Sequence, residues 1–303
     1  MRKLRFLIVY SPCFYGVFSW KMSLEQQSGG ATATQQTAAE KEQDLRRRMR
    51  EMPGVLVAYS GGVDSTYLAF IVSQELPGKS RCVLGLSPSV SEYQRNAALR
   101  NAEDLRLPLQ LIETGELNDP SYKANPKDRC YFCKSELYSQ LKKIALENGI
   151  ANIVDGTNAD DLTDHRPGRA AAVENNVISP LADAGFSKAE IRTQSRIHGL
   201  EGWDKPASPC LSSRIAYGVP VTIERLSQIE KGEDFLRSEG FSEFRVRVHG
   251  DLARLEIARS EMDRIFDLEA AGKLEKVFRS LGFRYVTLDL KGFRSGAMNE
   301  TVI

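Results

Sequence analysis

Residues 55–72 read VLVAYSGGVDSTYLAFIV, an apolar run that leads through a Ser-Gly-Gly turn into a helix-like segment. This order of strand, glycine turn and helix predicts a phosphate-binding loop, because the free N–H groups and the dipole at a helix N-terminus both favour an anion. The loop lacks the lysine of the GxxxxGK[ST] pattern, which argues against transfer of a γ-phosphate. Five residues are candidates for nucleotide contacts through a glycine backbone or a hydroxyl group: Ser60, Gly61, Gly62, Ser65 and Thr66.

Asp64 is the unusual member of this loop. A carboxylate next to phosphates repels them unless a divalent cation lies between, so the sequence predicts a Mg²⁺ site that includes Asp64. The alternative is an ordinary glycine turn with a Ser/Asp helix cap and no ligand. The complete SGGVDST segment, at the end of the first strand of an alternating pattern, favours the nucleotide site.

Strand-like and helix-like segments alternate from this loop to about residue 200. Near-continuous apolar runs are typical of strands buried on both faces, so we expect a Rossmann-like, doubly wound parallel sheet. Strands are expected over five segments: 54–60, 81–87, 109–114, 151–157 and, shorter, 175–181. Helices are expected over four: from residue 64, 91–107, 131–148 and 187–199. Ser187 is the expected cap of the last helix, and Glu190 completes a capping box.

A loop with three prolines, residues 203–222, separates this pattern from a different one. After it we expect a helix, two strands, a helix and a strand: 222–239, 244–250, 253–259, 260–281 and 284–290. This order predicts a small α+β module. The expected parts of the chain are an N-terminal extension, a nucleotide-binding domain, a loop that carries Cys210, and this module: 1–43, 44–202, 203–222 and 223–303.

The N-terminal extension differs in composition from the rest. Residues 1–21 are basic and apolar and contain no acidic residue, which is typical of a targeting segment, although Met22 is an equally good start. Residues 23–42 are rich in Gln, Thr, Ala and Gly, and we expect them to be disordered. No later run of 18 apolar residues occurs, so we expect no membrane span and a cytoplasmic protein.

Charge and cysteine content narrow the function. Lys plus Arg number 41 against 40 Asp plus Glu, a net charge of +1, so the chain offers no overall positive excess to a nucleic-acid backbone. Five unevenly spaced cysteines do not make a disulfide scaffold. Cys130 and Cys133 form a C-x-x-C pair and Cys210 lies in the proline-rich loop, which in a reducing compartment indicates metal, cluster or sulfur chemistry. We assign no role to Cys13 or Cys82.

SGGVDS resembles the motif of the PP-loop ATP pyrophosphatases, which share an adenine nucleotide alpha hydrolase-like fold. Members bind ATP, cleave it between the α and β phosphates, transfer AMP to an acceptor oxygen and release pyrophosphate. The resemblance implies that the loop holds the leaving pyrophosphate, so that no Walker lysine is needed.

From Leu56 to the C-terminus the chain is similar to one branch of this superfamily, the LarE-type ATP-dependent sulfurtransferases of nickel-pincer cofactor synthesis. Six segments carry the similarity: RCYFCKSELY (129–138), DGTNADD (155–161), SPLADAGFSKAEIR (179–192), WDKPASPCLSSRIAYG (203–218), FRVRVHGDLARLEI (244–257) and LDLKGFRSGAMN (288–299). The similarity implies adenylation of a carboxylate of a pyridinium-biscarboxylate mononucleotide, followed by sulfur transfer to give a thiocarboxylate.

Cys210 would attack the acyl-adenylate, and the neighbouring Arg214 would lower the pKa of its thiol. The module 223–303 would bind the mononucleotide and support a homo-oligomer. The expected cofactors are ATP and Mg²⁺. The expected partner is a small molecule, with no nucleic acid or membrane.

The source of the sulfur has two alternatives. In the sacrificial version the C–S bond of Cys210 breaks and leaves dehydroalanine. In the branch with three cysteines, Cys130, Cys133 and Cys210 would hold a 4Fe–4S cluster with one iron free to bind an additional sulfide. A zinc site is a further alternative without a clear fourth ligand. For C-x-x-C alone, two small buried apolar side chains are an equally good interpretation.

Other polar residues are candidates for the ATP site, each with a simpler alternative. Asn158 and Asp160 follow the fourth predicted strand, where they would serve ribose, metal or substrate, or would only cap a loop. Lys188 and Arg192 lie one turn apart on a helix and would bind phosphate or face solvent. Ser87 follows the second predicted strand and would meet the adenine-ribose side, or belong to a turn.

Arg245 and Arg247 alternate on a predicted strand, so their side chains face the same way. Two guanidinium groups on one face make a clamp for phosphate or carboxylate, and we expect them to anchor the phosphate of the mononucleotide. Glu233 and Asp263 would hold this clamp or contact the substrate, or would be ordinary surface charges.

Three other functions are compatible with a PP-loop. A tRNA thiolase would need a basic surface, which a net charge of +1 does not suggest. An amide-forming synthetase would leave Cys210 without a role. A nucleotide-binding sensor would not need the complete SGGVDST segment together with the Cys210 loop, and release of pyrophosphate from ATP would exclude it.

Overall fold

The strands that the apolar runs predict are present as β1 (Val55–Tyr59), β2 (Ser80–Leu86), β3 (Leu109–Glu113) and β4 (Asn152–Asp155). The structure is a computed structural model that describes residues 36–163, 167–206 and 208–294. The four strands form one parallel sheet in the order β3-β2-β1-β4, which confirms the predicted Rossmann-like architecture. β1 lies in the middle, so the loop that follows it opens at the centre of the carboxyl edge of the sheet.

Helices cover this sheet and match the predicted ones within a few residues. Among the described residues they are α1 (Ala38–Arg50), α2 (Val63–Glu75), α3 (Glu92–Asp104), α4 (Pro120–Lys123), α5 (Arg129–Glu147), α6 (Gly168–Glu174), α7 (Pro180–Asp183) and α8 (Lys188–Ile197). The predicted capping box of α8 is confirmed, because Ser187 accepts from the N–H of Glu190 and the Glu190 carboxylate accepts from that of Ser187. None of the described helices is both long and apolar enough to cross a bilayer.

The predicted fifth strand, residues 175–181, is wrong as a strand. Only one bridge forms there, between Val154 and Ile178. Asn176 has a left-handed backbone (φ 54°) just before the bridge, and Pro180 begins α7 just after it. The apolar residues of this segment therefore contribute to the core without extending the sheet.

The predicted boundary between residues 43 and 44 lies inside α1, so it is placed too late. Thr37 caps this helix and forms a capping box with Glu40, while Leu45 and Met49 are fully buried against the first core. Composition alone favours disorder before residue 43, but the amphipathic spacing of this helix anchors it on the sheet domain. Residues 1–35, on which the targeting and disorder predictions fall, lie outside the described residues.

The second sheet contains three strands in the described residues, flanked by two long helices: α9 (Ile223–Ser238), β5 (Phe244–His249), β6 (Leu252–Ile257), α10 (Leu268–Ser280) and β7 (Tyr285–Leu288). β5 and β6 pair antiparallel, and β6 and β7 pair parallel. The predicted helix 260–281 is interrupted, because a 3-10 segment (Arg259–Ile265) ends before Asp267 caps α10. The small α+β module is otherwise as predicted.

The segment between β3 and α5 joins the two sheets. Tyr122, from α4, is part of the apolar core of the second sheet, and Phe132 and Cys133 from the first turn of α5 pack against the same core. The remainder of α5 packs on the first sheet, where Tyr138 and Leu141 are buried. The start of α5, with its C-x-x-C pair, is thereby held where both sheets meet.

Candidate functional site

The glycine turn after β1 has the shape that a phosphate loop needs. Gly61 has φ 75°, and a Cβ there would lie 2.3 Å from the Cβ of Ala98 in α3, so only glycine fits. Gly62 caps α2 without a side-chain hydrogen bond, which leaves the first-turn N–H groups of the helix without a side-chain cap. The Ser65 hydroxyl accepts from the N–H of Ser60 at 3.2 Å and fixes the turn.

Of the three hydroxyl groups predicted in this loop, the structure exposes one. Ser60 is exposed, whereas Ser65 and Thr66 are 4% and 2% exposed. Ser65 lies 3.0 Å from Ser60 through their hydroxyl oxygens and donates to the carbonyl of Gly62. Ser60 is therefore the hydroxyl that reaches the open side of the loop, and Ser65 shapes the loop from below.

Asp64 is the centre of a second group of predicted residues. Its Oδ2 accepts from Nζ of Lys188 at 2.6 Å, and Asn158 also faces this carboxylate. Asp160 accepts from the backbone N–H of Lys188 at 2.8 Å and so ties the start of α8 to the same site. The fold thus brings Asp64, Asn158, Asp160 and Lys188 together at the carboxyl edge of the sheet.

The Asp64 carboxylate is suited to bind a cation. Burial raises its pKa, although Lys188 acts in the opposite direction. The other oxygen, Oδ1, is buried and has no hydrogen-bond partner among the described residues. An oxygen in this position is costly to bury unless it has a ligand, and carboxylate oxygens are the ligands that Mg²⁺ prefers.

Gly156 belongs to this site although the sequence analysis did not select it. A Cβ on Gly156 would lie 2.8 Å from the backbone nitrogen of Ser65. The chain leaving β4 therefore touches the N-terminus of α2, which places Asn158 beside Asp64. A glycine directly after the Asp of a buried strand was the local signal for this close approach.

A pocket opens beside the loop, between β2 and α3. Its walls are mainly apolar, from Leu84, Leu86, Val90 and Ala98, and its polar groups come from Ser60, Ser87, Gln94 and Arg95. An apolar slot with a few polar groups next to a phosphate loop is a suitable site for a nucleoside. Ser87, predicted for the adenine-ribose side, lines this pocket, and its hydroxyl donates to the buried Glu116. Gln94 and Arg95 were missed because a capping residue and a helical arginine are ordinary on their own.

Arg192, the other predicted phosphate ligand on α8, has a different position. Its guanidinium donates to the carbonyl of Lys205 at 2.7 Å and reaches that of Asp204 at 3.5 Å. It therefore anchors the start of the proline-rich loop. Of the two predicted basic residues of α8, Lys188 is the one that contacts the loop carboxylate.

Cys210 precedes a 3-10 turn, Leu211–Arg214, and is partly buried. Arg214 was predicted to act on its thiol, but the guanidinium points elsewhere: Nε and Nη2 bind the two oxygens of Glu233 at 2.9 and 3.1 Å. Nη1 donates to the carbonyl oxygens of Pro209 and Cys210. In this structure Arg214 holds the backbone of the cysteine, and Glu233 is its partner instead of a partner of the predicted clamp.

The three cysteines approach one another from two elements, the first turn of α5 and the Cys210 loop. Burial raises the pKa of the Cys133 thiol, and the charges of Glu116, Cys210 and Cys130 raise it further. The protein atoms around Cys130, and then the charge of Cys210, raise the pKa of that thiol as well. Within the described ranges, no three His, Cys, Asp or Glu side chains are close enough together to hold a single metal ion.

The predicted arginine clamp lies on the polar face of the second sheet, which faces the Cys210 loop. Arg247 donates to the carbonyl of Ser213 at 2.9 Å and to the buried Glu256 at 2.9 Å. Arg245 lies over the ring of Phe293, and burial, followed by the charge of Arg214, lowers its pKa to about 10. The strand alternation thus places both guanidinium groups on one face, three residues from Cys210 at the Ser213 contact.

Asp263 does not join these residues through any described contact. It is exposed on the 3-10 segment that precedes α10, and no described residue hydrogen-bonds its carboxylate. Nothing in the structure links it to the clamp.

Comparison with known proteins places the chain in a family. No family model matches it. An uncharacterized protein of Synechocystis is 41% identical over 260 residues, 86% of this chain and 97% of that protein. The pyridinium-3,5-bisthiocarboxylic acid mononucleotide synthase of Lactiplantibacillus plantarum is 38% identical over 269 residues, 88% of this chain and 96% of the synthase.

A more distant similarity concerns part of the chain. The cytoplasmic tRNA 2-thiolation protein 1 of Aspergillus niger is 27% identical over 122 residues, which is 36% of either chain. The near-complete alignment with the bacterial synthase is therefore the informative one. Together with the glycine loop after β1 and the cysteine loop between the sheets, it shows that the chain belongs to the PP-loop family of ATP-dependent sulfurtransferases that contains this synthase.

Proposed function

We propose that this chain activates a carboxylate of pyridinium-3,5-biscarboxylic acid mononucleotide with ATP and replaces a carboxylate oxygen by sulfur through Cys210, a step in nickel-pincer cofactor synthesis. One observation supports this arrangement best: the Cys210 loop contacts both of the sites that the reaction requires. Gln94 of the nucleotide pocket donates to the carbonyl of Ser208 at 2.5 Å, and Arg247 of the arginine face donates to that of Ser213 at 2.9 Å.

In the first step a substrate carboxylate oxygen attacks the α-phosphorus of ATP. The new bond joins that oxygen to phosphorus, and the bond between the α-phosphorus and the bridging oxygen breaks, which releases pyrophosphate. The chain contributes positioning and charge compensation, through the N-terminus of α2, the Ser60 hydroxyl and Lys188. Asp64 would hold Mg²⁺ through its buried, unpartnered Oδ1, and the ion would supply positive charge next to the phosphates.

In the second step the sulfur of Cys210 attacks the carbonyl carbon of the acyl-adenylate. A C–S bond forms, the bond to the AMP oxygen breaks, and AMP leaves. In the sacrificial route the Cα proton of Cys210 is then lost and its Cβ–S bond breaks, which leaves dehydroalanine in the chain and the thiocarboxylate in the product.

Three cysteine thiols on two firmly held elements also suit a 4Fe–4S cluster. The three protein ligands of such a cluster bind different irons, so they lie farther apart than three ligands of one ion. Cys130, Cys133 and Cys210 would hold it, and a cluster with one iron free of protein ligands would supply an additional sulfide. The chain would then be a repeated-turnover donor.

Iron and acid-labile sulfide content of anaerobically purified protein separates the two routes. About four irons per chain, lost in Cys130→Ala, Cys133→Ala and Cys210→Ala but kept in Cys82→Ala, supports the cluster. Cys82 is a suitable control because it is buried in the core of the first sheet. Absence of iron after reconstitution supports the sacrificial route, in which Cys210 loses the mass of its sulfur after one turnover.

The function itself is tested by incubating the protein with ATP, Mg²⁺ and the biscarboxylate mononucleotide. Formation of AMP and pyrophosphate that depends on the mononucleotide supports it. AMP formation that depends on tRNA instead would favour the tRNA thiolase that was the alternative. We also propose a cytoplasmic homo-oligomer, and analytical ultracentrifugation tests the association.

A further inference from the structure

The Cys210 loop and the C-x-x-C helix are held together by one buried asparagine. Asn125 lies between α4 and α5 and is fully buried. Its Nδ2 lies within hydrogen-bonding distance of three carbonyl oxygens of the loop, those of Ile215, Ala216 and Val219, at 3.3, 2.8 and 2.9 Å. Four residues further along the chain, α5 begins.

The other groups of Asn125 complete the connection. Its Oδ1 accepts from Nη1 of Arg129, which also donates to the carbonyl of Ser212 at 3.0 Å. The backbone carbonyl of Asn125 accepts from the N–H of Gly218 at 3.0 Å. Arg129 is the first residue of α5 and precedes Cys130 directly. A single side chain thereby fixes the loop of Cys210 to the helix of Cys130.

A second contact acts in the same place. The hydroxyl of Tyr122 lies 2.7 Å from that of Ser89 and 2.7 Å from that of Ser212, and all three residues are buried. Leu211, next to Cys210, donates its N–H to the carbonyl of Ser89 at 2.7 Å. The loop is thus bound on both sides of the 3-10 turn, by a network without a charged group.

Asn125 also has an unusual backbone. Its φ is 55°, in the left-handed region that asparagine tolerates better than most residues. A buried polar network of this kind is costly unless each of its groups is paired, and it then fixes one arrangement. Neither the adenylation site nor the arginine clamp uses Asn125.

We propose that Asn125 is a positioning residue that sets the distance between Cys210 and the Cys130–Cys133 pair. This inference rests on the proposed function of Cys210 in sulfur transfer. It implies that Asn125 acts on the sulfur step and leaves adenylation unchanged. Displacement of a reacting group by about 1 Å lowers a rate by about a hundredfold, so the sulfur step should be sensitive.

The decisive variant is Asn125→Gly, because glycine keeps the positive φ and removes the side-chain bonds. Asn176→Gly is the matched control, since Asn176 has φ 54° and is exposed. The positional readout is the distance between spin labels on Cys130 and Cys210, measured by pulsed EPR in chains whose other cysteines are replaced.

We expect a narrow distance distribution in the parent and the Asn176→Gly chain and a broad or shifted one in Asn125→Gly. In the unlabelled proteins we expect sulfur transfer to fall about ten- to hundredfold in Asn125→Gly, with AMP formation within about twofold of the parent. Tyr122→Phe, which keeps the ring in the core, should change both in the same direction by less.

An unchanged distance distribution in Asn125→Gly overturns the inference. A parallel fall in AMP formation and sulfur transfer also overturns it, because that result indicates general damage to the fold. If Asn125→Gly does not fold, Tyr122→Phe decides by the same two criteria. A parent protein that forms no AMP would contradict the proposed function, while the spin-label distances would still report on Asn125 itself.

Discussion

Arg214 and Glu233 form a buried two-point ion pair next to the cysteine loop. The guanidinium is 2% exposed and the carboxylate residue 5%, and the two N–O distances are 2.9 and 3.1 Å. Because Nη1 of the same guanidinium binds the carbonyls of Pro209 and Cys210, the pair fixes the peptide that carries the thiol. The sequence predicted the importance of this arginine but not its target.

Arg214→Lys should therefore disturb the loop. Lysine keeps the charge but cannot bind both carboxylate oxygens and the two carbonyls in the planar geometry of a guanidinium. We expect the free energy of unfolding to fall by about 1–3 kcal/mol and sulfur transfer to fall more than AMP formation. Denaturant titration and the rate of Cys210 alkylation measure the two effects.

Arg279→Lys is the control for this change. Arg279 lies on α10 in an ion pair with Glu275, and both side chains are about 60% exposed, so its loss should be nearly neutral. If Arg214→Lys is no more destabilising than Arg279→Lys and leaves the alkylation rate unchanged, the positioning role of Arg214 is wrong.

Gly61→Ala should abolish nucleotide binding. The new Cβ would meet both the required positive φ and the Cβ of Ala98 at 2.3 Å. Gly78→Ala introduces the same backbone strain, about 1–3 kcal/mol, at φ 74° with nothing within 4 Å. Calorimetric titration with ATP should show binding in Gly78→Ala and at least a tenfold loss in Gly61→Ala. Equal affinities would show that the contact between the loop and α3 does not shape the site.

Glu42 should make the docking of α1 dependent on pH. Burial alone would raise its pKa, but hydrogen bonds from His198, Tyr67 and Arg46 outweigh burial and lower it. A carboxylate whose pKa is lower in the folded state stabilises the fold above its unfolded value, about 4.3, and this contribution is lost as the pH falls through the folded pKa.

Glu42→Gln should consequently lower the free energy of unfolding by about 1–3 kcal/mol at pH 7, and by much less near pH 3. Urea titrations of the wild type and the variant at both pH values measure the difference. Glu51→Gln, at the exposed end of the same helix, should show little change at either pH. A difference for Glu42→Gln that persists at the lower pH would contradict the assignment.

The parts of the fold that the sequence predicts are those with local signals. Buried strands appear as apolar runs, and the turn at Gly61 appears as a Ser-Gly-Gly sequence next to a helix start. The strand at residues 175–181 failed because an apolar run also occurs where a chain only touches the sheet edge, as Ile178 does.

The site was predicted by residue but less well by role. Lys188 and Asp160 lie beside Asp64 as expected, because they follow strands that end at the same edge. Asn125 and Glu233 could not be assigned, because their partners lie 90 and 19 residues away in sequence and no local pattern records such contacts. Long-range hydrogen bonds of this kind become visible only when the two sheets are placed together.

Cys210 carries the central claim, and the Cys210→Ala variant tests it most directly. The measurement is a single incubation with ATP, Mg²⁺ and the biscarboxylate mononucleotide, in which AMP is quantified and the product mass is determined. We predict that the wild type forms AMP and a product in which sulfur replaces oxygen, and that Cys210→Ala forms the acyl-adenylate with no sulfur in any product. A thiocarboxylate from Cys210→Ala would contradict the account.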